Sequence, residues 1–443
     1  MRPEQLRYPL RRWIDPADAF AALHADSTDV VWLDSGVDAT AGISVMGKAS
    51  RVISTDTVDG SVLEFLRGDL AEHSADAVGG FALGWVGWLG YETRFETMGV
   101  ARTRESPYPD AAFLLLERAI EFDHAKREVT LLSLAHDEHW RDEVIRSLAQ
   151  PRPPAQPAPL AQPRSLSLSK GAHWRDTDDH YLAMIRACKQ QIAEGNAYQL
   201  CLTTSASVDA TPDPFATYLQ LRTSSPSHHG ALLRVGDIAL LSSSPEQFLS
   251  VSPAGVVESR PIKGTRPRGD TPELDLALAA ELVASEKERA ENLMIVDLMR
   301  NDIARVSRVG SVEVPSLLEV ETYAQVHQLV STVRGQLDDG FVGMDAVVAC
   351  FPAGSMTGAP KSSATRILDE LEGEARGIYS GAFGYFGLDG RIDLAMVIRS
   401  IVLSPSGATV GAGGGITILS DPDEELAEVK LKAAALLAVL GAS

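Results

Sequence analysis

Short apolar segments at hairpin spacing, each group followed by a single helical pattern, constrain the fold of this chain most. Strand patterns recur along the second half of the sequence, at residues 231–257, 326–337, 380–388, 392–403 and 408–412. Between and after them, apolar residues recur three and four positions apart, as in a helix. Consecutive strands at hairpin spacing favour antiparallel pairing, so the pattern predicts an α+β layered protein and not a doubly wound one.

One lysine lies in a stiff segment directly after the strands of residues 231–257. Pro261 and Gly264 bracket Lys263. Proline fixes the backbone on one side, and glycine permits close approach on the other. A lysine on such a turn beside buried strands would be partly desolvated, which lowers its pKa and makes its amine a usable nucleophile. The alternative interpretation is an ordinary surface lysine among arginines.

Composition divides the chain at residues 151–169, which are rich in proline, alanine and serine. Such composition is typical of a linker. We therefore predict one domain in residues 1–150 and a second in residues 170–443. The first segment contains a glycine- and aromatic-rich run at residues 79–91, which we interpret as close sheet packing.

Acidic residues clearly outnumber basic ones, with 60 Asp and Glu against 40 Lys and Arg and a formal charge of −20. Such a surface disfavours nucleic acid and anionic membranes, so we predict neither as a partner. An anionic ligand would need a local cation, either basic side chains or a bound metal.

The sequence favours a cytoplasmic protein. No apolar run approaches the ~18 residues that a membrane span requires, and the first residues lack the apolar core of a signal peptide. Cys188, Cys201 and Cys350 lack the spacing of a metal or redox motif. We expect them to be reduced thiols in the core.

Two helical patterns carry glutamates at matching intervals. Glu288 and Glu291 lie in one long helix predicted over residues 273–306, and Glu425 and Glu428 lie in the final helix. Residues three apart project from one face of a helix. The two pairs could therefore converge on a hard cation such as Mg²⁺, which takes oxygen ligands. The alternative is that all four are solvated surface glutamates.

Further candidates are weaker when taken singly. Glu246 ends a strand near the lysine turn, where a desolvated carboxyl group could act as a general acid, although a surface glutamate fits equally. Arg399 lies in an apolar segment predicted as a strand, so it needs an acidic partner or an anionic ligand. His327, in another apolar strand, fits a satisfied core histidine. The run from Gly411 to Gly415 lacks phosphate-loop spacing but precedes a helix N-terminus, which favours an anion.

Taken together, these segments resemble the chorismate-utilising enzymes. The resemblance spans nearly all of residues 175–435, through Pro261 to Arg266, Glu291 to Asp302, Pro352 to Lys361, Tyr379 to Gly381, Met396 to Ser400, and Gly413 to Gly415 with the acidic final helix. The N-terminal third is similar more loosely, through Trp32 to Ser35 and Gly84 to Glu92. The resemblance implies a layered sandwich of two mostly antiparallel sheets with helices outside. It also implies that residues 170–443 bind chorismate and carry out catalysis.

Lys263 distinguishes the branches of the family. The segment Pro261 to Thr265 is similar to the aminodeoxychorismate synthases, whereas anthranilate synthases resemble Pro-Ile-Ala-Gly-Thr at this turn. Gln199 stands where salicylate and isochorismate synthases carry a water-activating lysine, so water is disfavoured as the nucleophile. The resemblance implies that Lys263 attacks C2 of chorismate with Glu246 as general acid, after which ammonia adds at C4.

The resemblance also implies the rest of the site. Magnesium would be held by Glu288, Glu291, Glu425 and Glu428. Substrate-binding positions would be Gly264, Thr265, His327, Thr357, Tyr379, Arg399, Gly413, Gly414, Gly415 and Lys432. Two supporting positions depart from the family pattern, because Leu419 stands where aspartate is frequent and Val429 where threonine is frequent.

The implied amino donor is ammonia. No glutaminase signature of the form Gly-x-Cys-x-Gly occurs in the chain, so ammonia would come from a separate glutamine amidotransferase subunit or from free ammonium. The implied product leads to 4-aminobenzoate and folate. The N-terminal aromatic motif resembles a tryptophan pocket, and whether tryptophan binds is open. The alternatives are anthranilate synthase component I and a non-catalytic subunit that binds chorismate or tryptophan.

Overall fold

The computed structural model describes residues 4–150, 171–323 and 326–442. The predicted linker at residues 151–169 lies outside the described residues.

In these ranges the strands are β1 (Leu6–Pro9), β2 (Val30–Asp34), β3 (Ile43–Lys48), β4 (Arg51–Ser54), β5 (Gly84–Leu89), β6 (Ala111–Leu116), β7 (Arg118–Asp123), β8 (Glu128–Ser133), β9 (His173–Trp174), β10 (Gln199–Val208), β11 (His229–Val235), β12 (Ile238–Ser244), β13 (Gln247–Val251), β14 (Val256–Ser259), β15 (Ile262–Pro267), β16 (Glu313–Thr322), β17 (Val326–Gln336), β18 (Gly358–Ala359), β19 (Ala382–Gly387), β20 (Ile392–Met396), β21 (Ser400–Ser404) and β22 (Gly407–Ile416). The helices are α1 (Pro16–Leu23), α2 (Val62–Glu72), α3 (Arg94–Thr97), α4 (Glu138–Ala149), α5 (Asp178–Ala193), α6 (Pro214–Ser224), α7 (Pro272–Ala284), α8 (Glu286–Ala304), α9 (Gly343–Cys350), α10 (Lys361–Glu372) and α11 (Pro422–Val439).

The strands form two sheets, and every strand pair within the described ranges is antiparallel. The first sheet has twelve strands, in the order β1-β8-β7-β3-β2-β11-β12-β21-β22-β10-β18, with β9 also paired to β10. The second has ten, in the order β15-β17-β14-β13-β20-β19-β5-β6-β4, with β16 also paired to β17. The predicted α+β class with two antiparallel sheets is confirmed.

Three apolar cores define the layers. One core joins residues from both sheets, such as Val31 and Leu240 of the first and Val86 and Phe383 of the second, so the sheets pack face to face. Another packs α5, α6, α10 and α11 against the outer face of the first sheet. The last packs α2, α8 and α9 against the outer face of the second sheet. The helices therefore lie outside a β-sandwich, as expected.

Both sheets contain strands from either side of residues 151–169. In the first sheet β2 pairs with β11, and in the second β5 pairs with β19. The two predicted segments thus share their sheets, and their division into separate domains stays a prediction.

The prediction of a single helix over residues 273–306 is wrong, because two helices occupy this range. Ser285 separates α7 from α8 with an extended backbone, φ −66° and ψ 111°. Its hydroxyl accepts a hydrogen bond from the Glu288 amide at 3.4 Å, so this serine caps the N-terminus of α8. The last helix, α11, is capped by Asp421, whose side chain accepts from the amides of Asp423 and Glu424.

Two strand predictions near the site also need correction. The strand predicted over 392–403 is two strands, β20 and β21, separated by residues 397–399. The strand predicted over 408–412 extends further, because the glycine run at 411–415 forms the second half of β22, whose residues pair with β10. Glycine weakens a strand, and such a run commonly marks a close approach by other atoms.

No helix in the described part of the chain is both long enough and apolar enough to cross a bilayer. The three cysteines are unpaired and buried, as predicted.

Candidate active site

A cavity of about 630 Å³ opens where the two sheets meet the outer helices. Its walls come from β15 of one sheet, β22 of the other, and the acidic ends of α8 and α11. Among the predicted site residues, those lining it are Glu246, Lys263, Gly264, Thr265, Glu288, Glu291, Tyr379, Arg399, Gly413, Gly414, Gly415, Glu425, Glu428 and Lys432. The structure thus collects residues that are up to about 190 positions apart in sequence, a separation that only tertiary packing can close.

Lys263 lies in a short irregular strand and not in a free turn. The register between β15 and β17 shifts between Ile262 and Thr265, which is the signature of a bulge. Gly264 within the bulge has φ +80°, and a Cβ there would lie 2.9 Å from Cδ of Glu288. Glycine is therefore required both for the backbone conformation and for the approach of that glutamate.

Carboxylates set the charge state of Lys263, which is half-buried. Burial has the largest single influence and lowers the pKa of Lys263, but Glu291 and Glu246 raise it, and the net pKa lies above its ordinary value. The expectation of a lowered pKa is therefore wrong, because the acidic surroundings outweigh desolvation. Within the described residues, the amine forms no hydrogen bond and no ion pair within 4.0 Å, so it is not tied to a structural partner.

Glu246 has the properties of a proton donor. It is buried, and burial raises the pKa of its carboxyl group above the ordinary range, although Lys263 and a hydrogen bond with Ser355 act in the opposite direction. A raised pKa lets a carboxyl group hold its proton to a higher pH than an ordinary glutamate does, which favours a role as general acid. The surface-glutamate interpretation is excluded by the 8% exposure of this residue.

The four predicted metal ligands line one cavity but differ in their surroundings. Glu291 and Glu425 are buried. Burial raises the pKa of Glu291, whereas Lys432 brings the pKa of Glu428 below its ordinary value despite partial burial. Glu288 lies 3.7 Å from Arg266. The alternative of four fully solvated glutamates therefore does not hold.

These carboxylates suit a magnesium ion in their chemistry. Two helices present them to one cavity, and Mg²⁺ prefers carboxylate oxygen. Two of the four glutamates are paired with lysines, because Lys287 lies 3.3 Å from Glu425 and Lys432 lies 2.7 Å from Glu428. In the described ranges no three acidic, histidine or cysteine side chains converge closely enough to hold a metal. Binding would therefore require these lysine pairs to open.

Positive and backbone groups line the same cavity as the carboxylates. Arg399 occupies the break between β20 and β21 with φ 50°, is exposed, and forms no side-chain hydrogen bond with a described residue. It is thus not an arginine buried inside a strand, as the sequence suggested. Lys432 donates to the Gly413 carbonyl at 3.0 Å. An unpaired arginine and a lysine that line one cavity suit an anionic ligand.

The glycines at 413–415 line the cavity with backbone atoms. One edge of β22 pairs with β10 over its whole length, but its other partner, β21, pairs only as far as Val410. Beyond that point the second edge of β22 has no strand partner among the described residues. Apart from the Gly413 carbonyl, which accepts from Lys432, the N–H and C=O groups of this edge are open to contact by a ligand.

Two predicted substrate-binding residues do not line this cavity. His327 is buried, with its ring 2.8 Å from Asp275 and 2.9 Å from Thr322, which matches the interpretation as a satisfied core histidine. Thr357 is buried, and its hydroxyl donates to the Ala353 carbonyl.

Sequence reasoning missed other lining residues, among them Cys201, Lys287, Gln328 and Ser355. Only Lys287 carried a usable signal, because it lies between two glutamates on the predicted helix. Conversely, Lys361 and Asp302 belong to the segments that carried the resemblance, yet they form an ion pair at 2.5 Å that ties α10 to α8. Their contribution is structural.

A separate cavity of about 350 Å³ lies at the N-terminal motif and is lined by Leu33, Asp34 and Ser35. The Asp34 carboxylate accepts from Arg222, Tyr218 and Ser44. The run from Gly84 to Glu92 does not line this cavity. Tryptophan binding here stays a prediction.

Comparison with known proteins matches residues 28–438 to the family model described as chorismate binding enzyme. The chain is 42% identical over 462 residues to an aminodeoxychorismate synthase of Streptomyces pristinaespiralis, covering 96% of this chain and 64% of that protein. It is 36% identical to anthranilate synthase component 1 of Streptomyces coelicolor, covering 96% of this chain and 86% of that protein. The chain thus spans less than two thirds of the first of these relatives.

The fold is also similar to that of solved structures. The crystal structure of anthranilate synthase component I from Streptococcus pneumoniae superposes with a TM-score of 0.77 at 29% identity, covering 96% of this chain and 97% of that one. Sequence match, fold and the acidic cavity agree, and the chain belongs to the chorismate binding enzyme family.

Proposed function

We propose that this chain aminates chorismate at C4 and yields 4-amino-4-deoxychorismate, with the enolpyruvyl group retained. The observation that carries the proposal is the amine of Lys263, free of structural partners, in one cavity with the protonatable Glu246 and four glutamates. A relative named aminodeoxychorismate synthase is 42% identical. The product's destination in 4-aminobenzoate and folate synthesis is part of the proposal.

The reaction divides one difficult displacement into two easier ones. A proton first passes from the Lys263 ammonium group to the carboxylate of Glu246. The neutral amine then forms a bond to C2 while the C4–O bond breaks, and Glu246 donates this proton to the hydroxyl, which leaves as water. Ammonia then forms a bond to C4 while the bond from C2 to the lysine nitrogen breaks. The proton lost by the new amine returns to Glu246. Chorismate and ammonia are thus converted to aminodeoxychorismate and water.

The proposed magnesium site comprises Glu288, Glu291, Glu425 and Glu428. Magnesium, when bound, would hold the ring carboxylate and offset the negative charge of these glutamates. The pairs that Lys287 and Lys432 now form would open, which frees two ammonium groups for the substrate's anions.

The remaining groups would orient the substrate. Chorismate is a dianion, and Arg399 and Lys432 line the cavity as cations whose charge complements it. The free edge of β22 at residues 413–415 would supply N–H groups to a carboxylate. Tyr379 and Thr265 would lie against the ring of the substrate.

The amino donor would be ammonia, either free or released by a glutamine amidotransferase partner. The matched aminodeoxychorismate synthase is longer than this chain, which covers 64% of it. The source of the ammonia is therefore part of the proposal.

The deciding experiment incubates the purified chain with chorismate, Mg²⁺ and ammonium, and separates the products with and without an added 4-amino-4-deoxychorismate lyase. We expect 4-aminobenzoate only when the lyase is present. Anthranilate fluorescence without lyase would identify an anthranilate synthase instead, and chorismate binding without turnover would identify a regulatory subunit. Lys263→Ala should abolish the product, and Lys126→Ala, at an exposed lysine of the β7–β8 turn, should retain it.

A further inference from the structure

Lys287 occupies an unfavourable position on α8. It lies in the first helical turn after the capping residue Ser285, where the unpaired backbone amides leave a partial positive charge. The helix dipole opposes a cation at this end, so a nearby negative group has to hold it. That group is Glu425 on α11, whose Oε1 lies 3.3 Å from the Lys287 amine.

Three of the four proposed magnesium ligands attract this amine. Besides Glu425, the charges of Glu291 and Glu428 act on it. Glu425 and Glu291 are buried, and a buried carboxylate is costly unless a positive group accompanies it. Lys287 therefore supplies positive charge to the same carboxylates that the proposed ion would contact.

Lys432, the other lysine at these glutamates, is anchored more firmly. It pairs with Glu428 one turn away on the same helix at 2.7 Å, and it also donates to the Gly413 carbonyl at 3.0 Å. Lys432 would thus keep a backbone partner if an ion drew Glu428 away. The Lys287 amine has Glu425 as its one partner in the described part of the chain, and its side chain is 44% exposed. It can therefore turn into solvent by giving up a single contact.

Glu425 is fixed independently of Lys287. The Ser420 hydroxyl donates to its Oε1 at 2.7 Å, and its side chain is 4% exposed. Its other oxygen, Oε2, lies against the backbone of Gly414, where a Cβ would approach within 3.1 Å, and accepts no hydrogen bond from a described residue. Departure of Lys287 would therefore leave a fixed carboxylate with an open oxygen at the cavity wall, which suits a hard cation.

We propose that Lys287 is a resident counter-ion that competes with magnesium for Glu425, so that its displacement sets the affinity of the site for the ion. The inference rests on the magnesium site of the proposed function. Binding of Mg²⁺ exchanges one ammonium group for one divalent ion, and each exchange has to break the contact between α8 and α11 at Lys287 and Glu425. The contact therefore weakens the apparent affinity below the intrinsic affinity of the carboxylates.

Calorimetric titration with magnesium chloride, at fixed pH and ionic strength and without chorismate, measures the competition directly. The wild type is compared with Lys287→Met, which removes the ammonium group, and with Lys287→Arg, which keeps a cation. Lys430→Met is the matched control, because Lys430 on α11 is 43% exposed and pairs with Asp178 outside the cavity. We expect the Kd for Mg²⁺ to fall about fivefold or more in Lys287→Met, to stay within about twofold of the wild type in Lys430→Met, and not to fall in Lys287→Arg.

A second measurement distinguishes displacement from the loss of a nearby charge, and it uses the wild type alone. The chain is acetylated with sulfosuccinimidyl acetate, with and without saturating magnesium chloride, and mass spectrometry of its peptides gives the rate at each lysine. We expect Mg²⁺ to raise the rate at Lys287 about threefold or more, because the released amine is open to the reagent, and to leave the rate at Lys430 unchanged.

An unchanged Kd in Lys287→Met, or unchanged acetylation of Lys287 when Mg²⁺ binds, would overturn the competition and leave the magnesium site and the proposed amination standing. A wild type and variants that all fail to bind Mg²⁺ would overturn the inference together with the proposed magnesium site. The assay of products from chorismate decides the amination separately.

Discussion

Two clusters of charge, one around Arg376 and one around Lys263, are built in contrasting ways. Arg376 is buried and donates to both carboxylate oxygens of Glu372 and to the carbonyls of Met356 and Cys201. Lys263 and Arg399, in the candidate active site, have no such partners among the described residues. A charge whose donors are all satisfied holds the structure, whereas one held without partners is available to a ligand. Variants at the two clusters should therefore separate stability from activity.

The largest effect is expected for Lys263→Met. Removing the proposed nucleophile should reduce turnover by at least about 1,000-fold, equivalent to about 4 kcal/mol of barrier. Its loss of unfolding free energy should be smaller than that of Arg376→Met, because no hydrogen bond is broken. Turnover of aminodeoxychorismate and denaturant unfolding are measured on the same preparation. Near-normal turnover would end the covalent scheme.

Arg376→Met should instead destabilise the fold by about 3–5 kcal/mol, because it leaves Glu372 buried without its cation. Denaturant unfolding measures the loss. The double variant Arg376→Met/Glu372→Leu should recover part of it, since the uncompensated charge is gone. A single variant as stable as the wild type would show that this cluster is not structural, and the contrast would fail.

Glu92 gives the structural cluster a pH signature. Its carboxylate accepts from the amides of Arg376 and Gly377, and burial raises its pKa to about 7. The folded protein therefore holds this proton to a higher pH than the unfolded chain. The resulting stability is present below about pH 4.5 and is lost as pH rises towards 7, by up to about 3 kcal/mol.

Glu92→Gln should remove that pH dependence. Urea midpoints of wild type and variant between pH 5 and 7.5 measure the difference, which should move in favour of the variant as pH rises. Parallel curves over this range would contradict the raised pKa.

The smallest stability effect is expected at the pair of Lys432 and Glu428, whose side chains are 33% and 47% exposed. Solvent screening reduces such a pair to less than about 1 kcal/mol. Lys432→Met should thus leave unfolding nearly unchanged while raising the KM for chorismate, because a cation of the proposed anion site is lost. Steady-state kinetics provide the measurement, and a large unfolding effect without a change in KM would place Lys432 with the structural cluster.

The sequence predicted the layers well because alternation and hairpin spacing report directly on antiparallel sheets. It failed where a single polar residue overrides periodicity. Ser285 interrupts a continuous helical pattern by capping α8, and the break around Arg399 lies inside an apolar run that otherwise looks like one strand. The Ser285 cap is a local hydrogen bond to Glu288, which apolar periodicity does not register, whereas the Arg399 carbonyl is held by the distant Ser243 amide.

The predictions for the candidate active site also divide into those that local spacing supports and those that depend on the folded chain. The four glutamates were found because helical spacing places each pair on one face. The raised pKa of Lys263 was missed, because the carboxylates that outweigh desolvation approach only in the folded chain. His327 resembled a pocket residue in the family pattern, yet its partners Asp275 and Thr322 come from other elements and leave it in the structure's interior.

The pairing of β5 with β19 has a consequence for the order of assembly during synthesis. The residues that complete this edge of β5 lie roughly 300 positions further along the chain, so the contact is among the slowest kind to form. As the polypeptide leaves the ribosome, the backbone of Gly84–Leu89 has to wait with one edge unsatisfied until Ala382–Gly387 has been translated. Such an edge is open to association with other nascent chains, and the interval before closure is when this protein would depend most on chaperones.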